Sequence, residues 1–308
     1  MSAATRRWLW WALQVAIAGV VARMVWAAIV RNWSEFRSLH VSLAIRPGWI
    51  ALSVLAVFAT YAIQIASWRR ILAGWGQQLA YGRAARIWLL VNLGRYVPGK
   101  VWSVAGLVVL AQRAGVEAWA AGASAVAMQA IGLGTAVAVV AALTPAAESP
   151  LRLGLAALAA AGTIGFLGWN RGARWLAAAV GLAERFRPLP LGAVAESAGL
   201  SLVSWLTYGV AFWLLALGLG LPTTVPITTA TGVFALGYIL GLLALFAPGG
   251  VGVRELVFIG LLTPALGSGG AVALTLGSRV LLTLCEVVAP LGVVLITGRS
   301  KEDVGVRT

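Results

Sequence analysis

Six ionisable side chains fall where an apolar chain should carry none. Arg95 and Lys100 flank a Pro-Gly turn in Leu93-Gly94-Arg95-Tyr96-Val97-Pro98-Gly99-Lys100, and Arg254 and Glu255 follow a second one in Pro248-Gly249-Gly250-Val251-Gly252-Val253-Arg254-Glu255. Arg279 and Glu286 sit inside the last apolar run, two helical turns apart on one face, so both can line one cavity without touching. A charge at the centre of a bilayer costs roughly 2.5 to 3.5 kcal/mol on insertion scales, so each of these groups needs compensation. Four bases against two acids leave a positive excess, and an anionic ligand is its simplest neutraliser. Each turn precedes a short helix, whose free N–H groups and positive end favour a phosphate, and Gly249, Gly250 and Gly252 let backbone approach closely. Asn92, Tyr96, Trp102, Gln129 and Tyr238 are secondary polar candidates. The alternative is internal pairing of Arg254 or Arg279 with Glu255 or Glu286, in which the charges only hold the bundle together.

The elements that must position these groups are membrane spans. Hydrophobic residues make up 61% of the 308-residue chain, charged residues only 10%, and the mean hydropathy is +0.93; soluble domains carry about 25% charged residues. The composition predicts an all-α integral membrane protein. Runs near the roughly 20 residues a crossing needs fall at about Trp8–Val30, Trp49–Trp68, Trp119–Leu143, Leu151–Trp169, Ala193–Leu219 and Ala271–Thr297. A signal peptide beginning at Arg6 and Arg7 is the rival reading of the first run, but the apolar stretch resumes to Val30. The two Pro-Gly segments break further apolar stretches, and paired broken segments in corresponding halves of a chain point to a midplane binding site.

Charge counting orients the spans. With the amino terminus cytoplasmic and each broken segment a hairpin returning to its own side, Arg31, Arg37, Arg46 and Arg152 face outward, and Arg23, Arg95, Lys100, Arg254 and Arg279 lie at membrane depth. The rest of the 23 basic residues are then cytoplasmic, as the positive-inside rule requires. Full crossings by both broken segments would put the Arg171 to Arg187 cluster outside. The expected architecture is therefore six transmembrane helices plus two re-entrant helical hairpins, at about Ile87–Gln112 and Ile227–Leu266, in an inverted repeat with both termini cytoplasmic. The whole of 1–308 forms one transmembrane domain, with 1–150 the first repeat half and 151–308 the second.

Other chemistries find little support. The net charge of +14 follows from positive loops rather than a nucleic-acid face. No Walker A pattern is present, and the single histidine, His40, has no Cys or carboxylate cluster at metal-ligand spacing. Neither a metal nor a cofactor is expected. Most of the 15 Trp residues stand near run ends, as an interfacial belt requires, and the lone Cys285 can form no internal disulfide.

The stretch Asn92-Leu-Gly-Arg-Tyr-Val-Pro-Gly-Lys-Val-Trp-Ser, the later Pro248-Gly-Gly-Val-Gly-Val-Arg-Glu and Ser278-Arg279 resemble the lysylphosphatidylglycerol synthase transmembrane, or flippase-like, family over nearly the whole chain. The resemblance implies a bacterial inner-membrane protein that moves lipids between leaflets, as assigned to the flippase half of the multiple peptide resistance factor. No carboxy-terminal aminoacyl-transferase domain is recognised, so synthesis of lysylphosphatidylglycerol is not expected of this chain. Where the family often has a Glu-Arg pair after the first hairpin, this chain has Met128-Gln129. The expected function is translocation of an anionic phospholipid or polyprenyl phosphate lipid, with Arg95, Lys100, Arg254, Arg279, Gly249 and Gly250 binding its phosphate and Glu255 and Glu286 serving as coupling or ion-pair groups. The alternatives are a membrane-embedded enzyme acting on a lipid or polyprenyl phosphate and a noncatalytic partner of a lipid-modifying enzyme.

Overall fold

A computed structural model describes residues 43–96, 101–143, 150–168, 174–175, 178, 187–222, 225–243 and 252–299. The expected span Trp8–Val30 lies outside the described residues, as do Lys100, Gly249 and Gly250. All regular structure among the described residues is helical: α1 (Pro47–Gly74), α2 (Tyr81–Asn92) running into a 3-10 turn (Leu93–Tyr96), α3 (Val101–Arg113), α4 (Ala118–Leu143), α5 (Pro150–Gly168), α6 (Leu191–Gly218), α7 (Ile227–Leu243) and α8 (Val253–Arg299). Four stretches are long and apolar enough to cross a membrane, namely α1, α4, α6 and Val253–Val293 of α8. Apolar sequence favours helix here because, without water, each backbone N–H and C=O must be satisfied within its own segment.

Glycines set the helix ends. Pro47 opens α1, where its missing N–H would be unsatisfied in any case. At the other end Gly76 adopts φ 73°, Trp75 and Gly76 bond back into the last turn, and the Gln77 N–H closes on the Leu72 carbonyl. The end of α6 repeats the device, with Gly220 at φ 71° and the Leu221 N–H on the Ala216 carbonyl. Both are Schellman caps, which need a left-handed residue that glycine adopts without a Cβ penalty. Within α8, Gly267 leaves helical geometry (φ 70°, ψ 166°) and divides a short limb, 253–266, from a long span, 268–299. Sequence reading placed a boundary at Leu266; the chain bends there without a separating loop.

α1 and α6 form the central pair, each 28 residues long and antiparallel to the other. Ser53 Oγ donates to the Ala211 carbonyl (2.7 Å), Thr60 Oγ1 to Thr207 Oγ1 (2.8 Å), and Ser67 and Ser197 share a hydrogen bond of 2.6 Å. At the two ends of the pair a Cβ on Gly218 would come within 2.6 Å of Ile50, and one on Gly74 within 2.8 Å of Ala193. Small residues that admit close approach and hydroxyls that bridge backbones hold helices together where lipid removes the hydrophobic incentive to associate. One displacement along the chain carries Ser53 onto Ser197, Ser67 onto Ala211, Gly74 onto Gly218 and Gly76 onto Gly220. The Ser53–Ala211 bond and the Ser67–Ser197 contact therefore exchange under it.

The remaining helices pack around this pair. Trp68, fully buried, donates from Nε1 to Ser124 Oγ of α4 (2.8 Å), and Trp205 of α6 donates to Thr135 Oγ1 of α4 (3.1 Å). α7 fits closely, with Gly209 of α6 against Thr231 and Gly237 against the Phe258 ring of α8. α2 and α3 run antiparallel across the first break: a Cβ on Gly94 would lie 2.9 Å from Ser103 Oγ, and one on Gly106 would lie 3.7 Å from Val91. Leu52 and Leu55 of α1, Leu202 and Leu206 of α6, and Leu284, Val288 and Leu291 of α8 are exposed. These outward apolar faces suit contact with lipid.

Candidate functional site

A cavity of about 280 Å³ lies between the helices and takes residues from all of them except α5. α1 contributes Gln64 and Ser67; α2 contributes Trp88 and Asn92; α3 contributes Ser103; and α4 contributes Met128 and Gln129. Ser201, Ser204, Trp205 and Tyr208 of α6 line another wall, with Phe234 and Tyr238 of α7 and Arg254, Leu282 and Glu286 of α8. All seven of these helices belong to the central pair, to α4 or to the two broken segments. The helix ends that flank the breaks contribute Asn92, Ser103 and Arg254 to this space.

Among the described residues Arg254 is the cation of this cavity. It stands at the start of α8, and its guanidinium carbon lies 4.7 Å from the Phe234 ring centroid and 5.1 Å from that of Phe258. Phe234 and Phe258 stack with centroids 6.0 Å apart, and Phe212 reaches both rings. Stacking a guanidinium on aromatic faces compensates part of its desolvation. Its Nη2 atom is nevertheless buried with no hydrogen-bond partner among the described residues. Ser204 Oγ, on the same cavity, is likewise buried and unpartnered among the described residues. Buried donors left without partners cost about 1 to 3 kcal/mol, more for charged groups, so a group reaching either atom from the cavity would recover that cost.

The other three charges that the sequence reading placed inside the apolar part of α8 divide between structure and cavity. Glu255 ion-pairs with Arg279 across the Gly267 bend and accepts the Gly252 N–H at 2.6 Å. The second bond is the carboxylate half of a capping box, placing negative charge on the first turn of the helix. Glu255 thereby ties the start of the short limb to the long span, and Arg279 is spent on this contact rather than on the cavity. Glu286 does line the cavity. The positive excess expected of the six charges is absent from Arg254, Arg279, Glu255 and Glu286, which balance; any excess rests on Arg95 and Lys100. Arg95 and Tyr96 belong to the 3-10 turn, but their side chains lie outside the described residues.

Of the polar candidates named from sequence, Asn92, Gln129 and Tyr238 line the cavity. Asn92 Nδ2 donates to the Trp88 carbonyl (3.0 Å), and Gln129 Nε2 stands 3.5 Å from Tyr238 Oη. Gln64, Ser204, Tyr208 and the two phenylalanines beneath Arg254 were missed. Gln64 carried a readable signal, as a lone amide inside an otherwise apolar span. Ser204 and Phe234 carried none, because serine and phenylalanine are ordinary in such helices and only packing decides which face an interior space. Among the described residues no group of three or more His, Cys, Asp or Glu could hold a metal ion.

No curated protein matches the chain. Residues 9–289 match the family described as the lysylphosphatidylglycerol synthase TM region, and this multi-pass membrane protein belongs to that family.

Proposed function

We propose that this protein is a lipid flippase or scramblase of the bacterial inner membrane, translocating an anionic phospholipid or polyprenyl phosphate lipid between leaflets. The observation that carries the reading is Arg254: a guanidinium stacked on two phenylalanines, with a buried Nη2 that has no partner among the described residues, on a cavity walled by helices of both broken segments. Such a group is suited to a phosphate oxygen, which restores the missing bond and neutralises the charge together. In this reading Arg95 and Lys100 of the first break, with the backbone at Gly249 and Gly250 of the second, complete the phosphate site. Arg279 acts through Glu255, which releases or holds the short limb of α8, and Glu286 balances Arg254 when no lipid is bound. The protein would act as a transporter rather than an enzyme.

An inverted repeat of two halves, 1–150 and 151–308, is the architecture we assign to this activity. Its support is the correspondence between α1 and α6 in length, in capping glycines and in exchanged contacts, and a second correspondence in which a single slightly longer displacement carries Val101 onto Val253 and Gly115 onto Gly267, both glycines at positive φ. Two re-entrant hairpins would then meet from opposite faces, with both termini cytoplasmic, and rocking of one half on the other would open the cavity alternately to each leaflet. The test is reconstitution in liposomes with tail-labelled fluorescent lipids and quenching of the outer leaflet. Loss of protected fluorescence faster than in protein-free vesicles is expected. Rates equal to protein-free vesicles for every anionic headgroup, with and without an imposed pH gradient, would end the proposal.

A further inference from the structure

Near its end α1 carries two adjacent arginines, Arg69 and Arg70, which are held differently. Arg70 Nε stands 3.3 Å from Glu196 of α6, with both side chains more than half exposed. Arg69 pairs with no carboxylate among the described residues. Its Nε donates to the Leu79 carbonyl (2.8 Å), and its guanidinium carbon lies 5.6 Å from the Tyr81 ring centroid. Tyr81 is pinned in turn: its hydroxyl donates to the Ala62 carbonyl of α1 (3.0 Å), although 40% of the residue is exposed. One edge and one face of the Arg69 guanidinium are thereby fixed. Its two terminal amino groups keep their N–H donors in one plane, the geometry that grips a phosphate through parallel bonds. None of Ala62, Ala66, Arg69 and Tyr81 lines the interior cavity.

Ala62, Ala66 and Arg69 recur at helical spacing on one face of α1, with Ala62 exposed and Ala66 half-buried. Ala62 lies about 10 Å along the axis from the arginine. Alanines there leave room beside the Tyr81 ring for an acyl chain running down the helix from a headgroup at Arg69. Arg70 and, at the start of α2, Arg83 and Arg86 are exposed at the same end of the bundle. The carboxylates of that end among the described residues are Glu196, paired with Arg70, and Glu117, which bonds Gln77 and Trp119. The cations outnumber them, and the positive-inside rule makes this end cytoplasmic. We infer that Arg69 and Tyr81 form a peripheral lipid site on the outer wall of the bundle, apart from the interior cavity, for a phospholipid of net negative charge from the cytoplasmic leaflet. Its phosphate lies on the Arg69 terminal amino groups and an acyl chain over Ala62 and Ala66, so that one lipid ties the start of α2 to α1. Selection here is by net charge rather than by headgroup shape, because a choline would bring a cation among Arg70, Arg83 and Arg86, whereas glycerol or a bare monoester brings none.

The experiment is native mass spectrometry of the full chain released from detergent, with phosphatidylglycerol, phosphatidic acid or phosphatidylcholine of identical tails at equal concentrations. It is run in the Arg254→Leu background, so that the interior cavity offers no guanidinium, and each variant is checked for a wild-type gel-filtration profile and tryptophan emission. Both anionic lipids are expected to bind at least about tenfold more tightly than phosphatidylcholine, and Arg69→Leu should reduce that preference to about twofold or less. Arg69→Lys keeps the charge without the stack or the fork and should fall between. A preference near one before Arg69 is changed would overturn the inference, as would one that survives Arg69→Leu and Arg69→Lys alike. Displacement of bound phosphatidylglycerol by an equal concentration of glycerol phosphate would also overturn it, by making free phosphate the ligand. Displacement by polyglutamate would do the same by assigning the patch to an acidic protein. Binding is read without any transport step, so failure here leaves the lipid-transport reading to its own vesicle assay.

Discussion

Replacing Arg254 separates a binding role from a structural one. Arg254→Leu removes two ring contacts, at 4.7 and 5.1 Å, each worth up to about 1 to 2 kcal/mol when desolvated. It also removes a guanidinium whose placement at membrane depth costs roughly 2.5 to 3.5 kcal/mol. These opposing effects nearly cancel, so the thermal midpoint in detergent, followed by tryptophan emission, should move little. Under the transport proposal the rate responds differently, because the Nη2 atom that finds no partner among the described residues is the one that would meet the lipid. A hydrogen bond to a charged group contributes about 1.5 to 3 kcal/mol, and its loss should slow translocation by about 10- to 150-fold. Arg254→Lys keeps the charge but loses the planar stack and the fork of donors, and should fall between the two. The assay is the fluorescence-quenching measurement in liposomes, at matched protein incorporation. Wild-type rates in Arg254→Leu would refute the reasoning. So would a loss of rate accompanied by a matching loss of stability, which would make Arg254 a strut rather than a ligand for phosphate.

Glu255→Gln leaves Arg279 without its carboxylate at membrane depth and weakens the cap on Gly252; a loss of about 3 kcal/mol or more is expected. Arg279→Gln added to it should restore at least half, and additive losses in a double-mutant cycle would refute the pairing. Trp68→Phe should cost about 1 kcal/mol, the bond to Ser124, whereas Trp68→Ala, at a fully buried site, should cost about 3 to 5 kcal/mol, both read from thermal melts. Gly76→Ala meets only the left-handed backbone penalty of about 1 to 2 kcal/mol. Gly220→Ala has the same penalty plus a Cβ 2.6 Å from the Ala44 carbonyl, so its midpoint should fall further; equal shifts would contradict the packing. Gly237→Ala presses on the Phe258 ring beneath Arg254, and should reduce transport more than the roughly 1 to 3 kcal/mol of overpacking reduces stability.

Much of the fold was legible in the chain because a bilayer leaves few choices. The runs beginning near Trp49, Trp119, Leu151 and Ala193 returned as α1, α4, α5 and α6, with bounds within two residues except that α1 runs on from Trp68 to Gly74, since about 20 apolar residues without water admit little but a helix. The two Pro-Gly elements announced breaks for an equally local reason, and the boundary near Leu266 fell beside the Gly267 bend. Arg254, Glu286, Asn92, Gln129 and Tyr238 were recognisable as polar groups in apolar surroundings, and all five line the cavity. The choice of partner was not legible. Spacing allowed Glu255 to pair with either Arg254 or Arg279, and put Arg279 on a common face with Glu286. The bend at Gly267 turned Arg279 toward Glu255, while Phe234 and Phe258 turned Arg254 into the cavity. Sequence by itself determines which residues must lie in the membrane, because that depends on the transfer free energy of each side chain. Only tertiary structure decides which charges neutralise one another and which remain for a ligand, because that depends on distances between helices far apart in the chain.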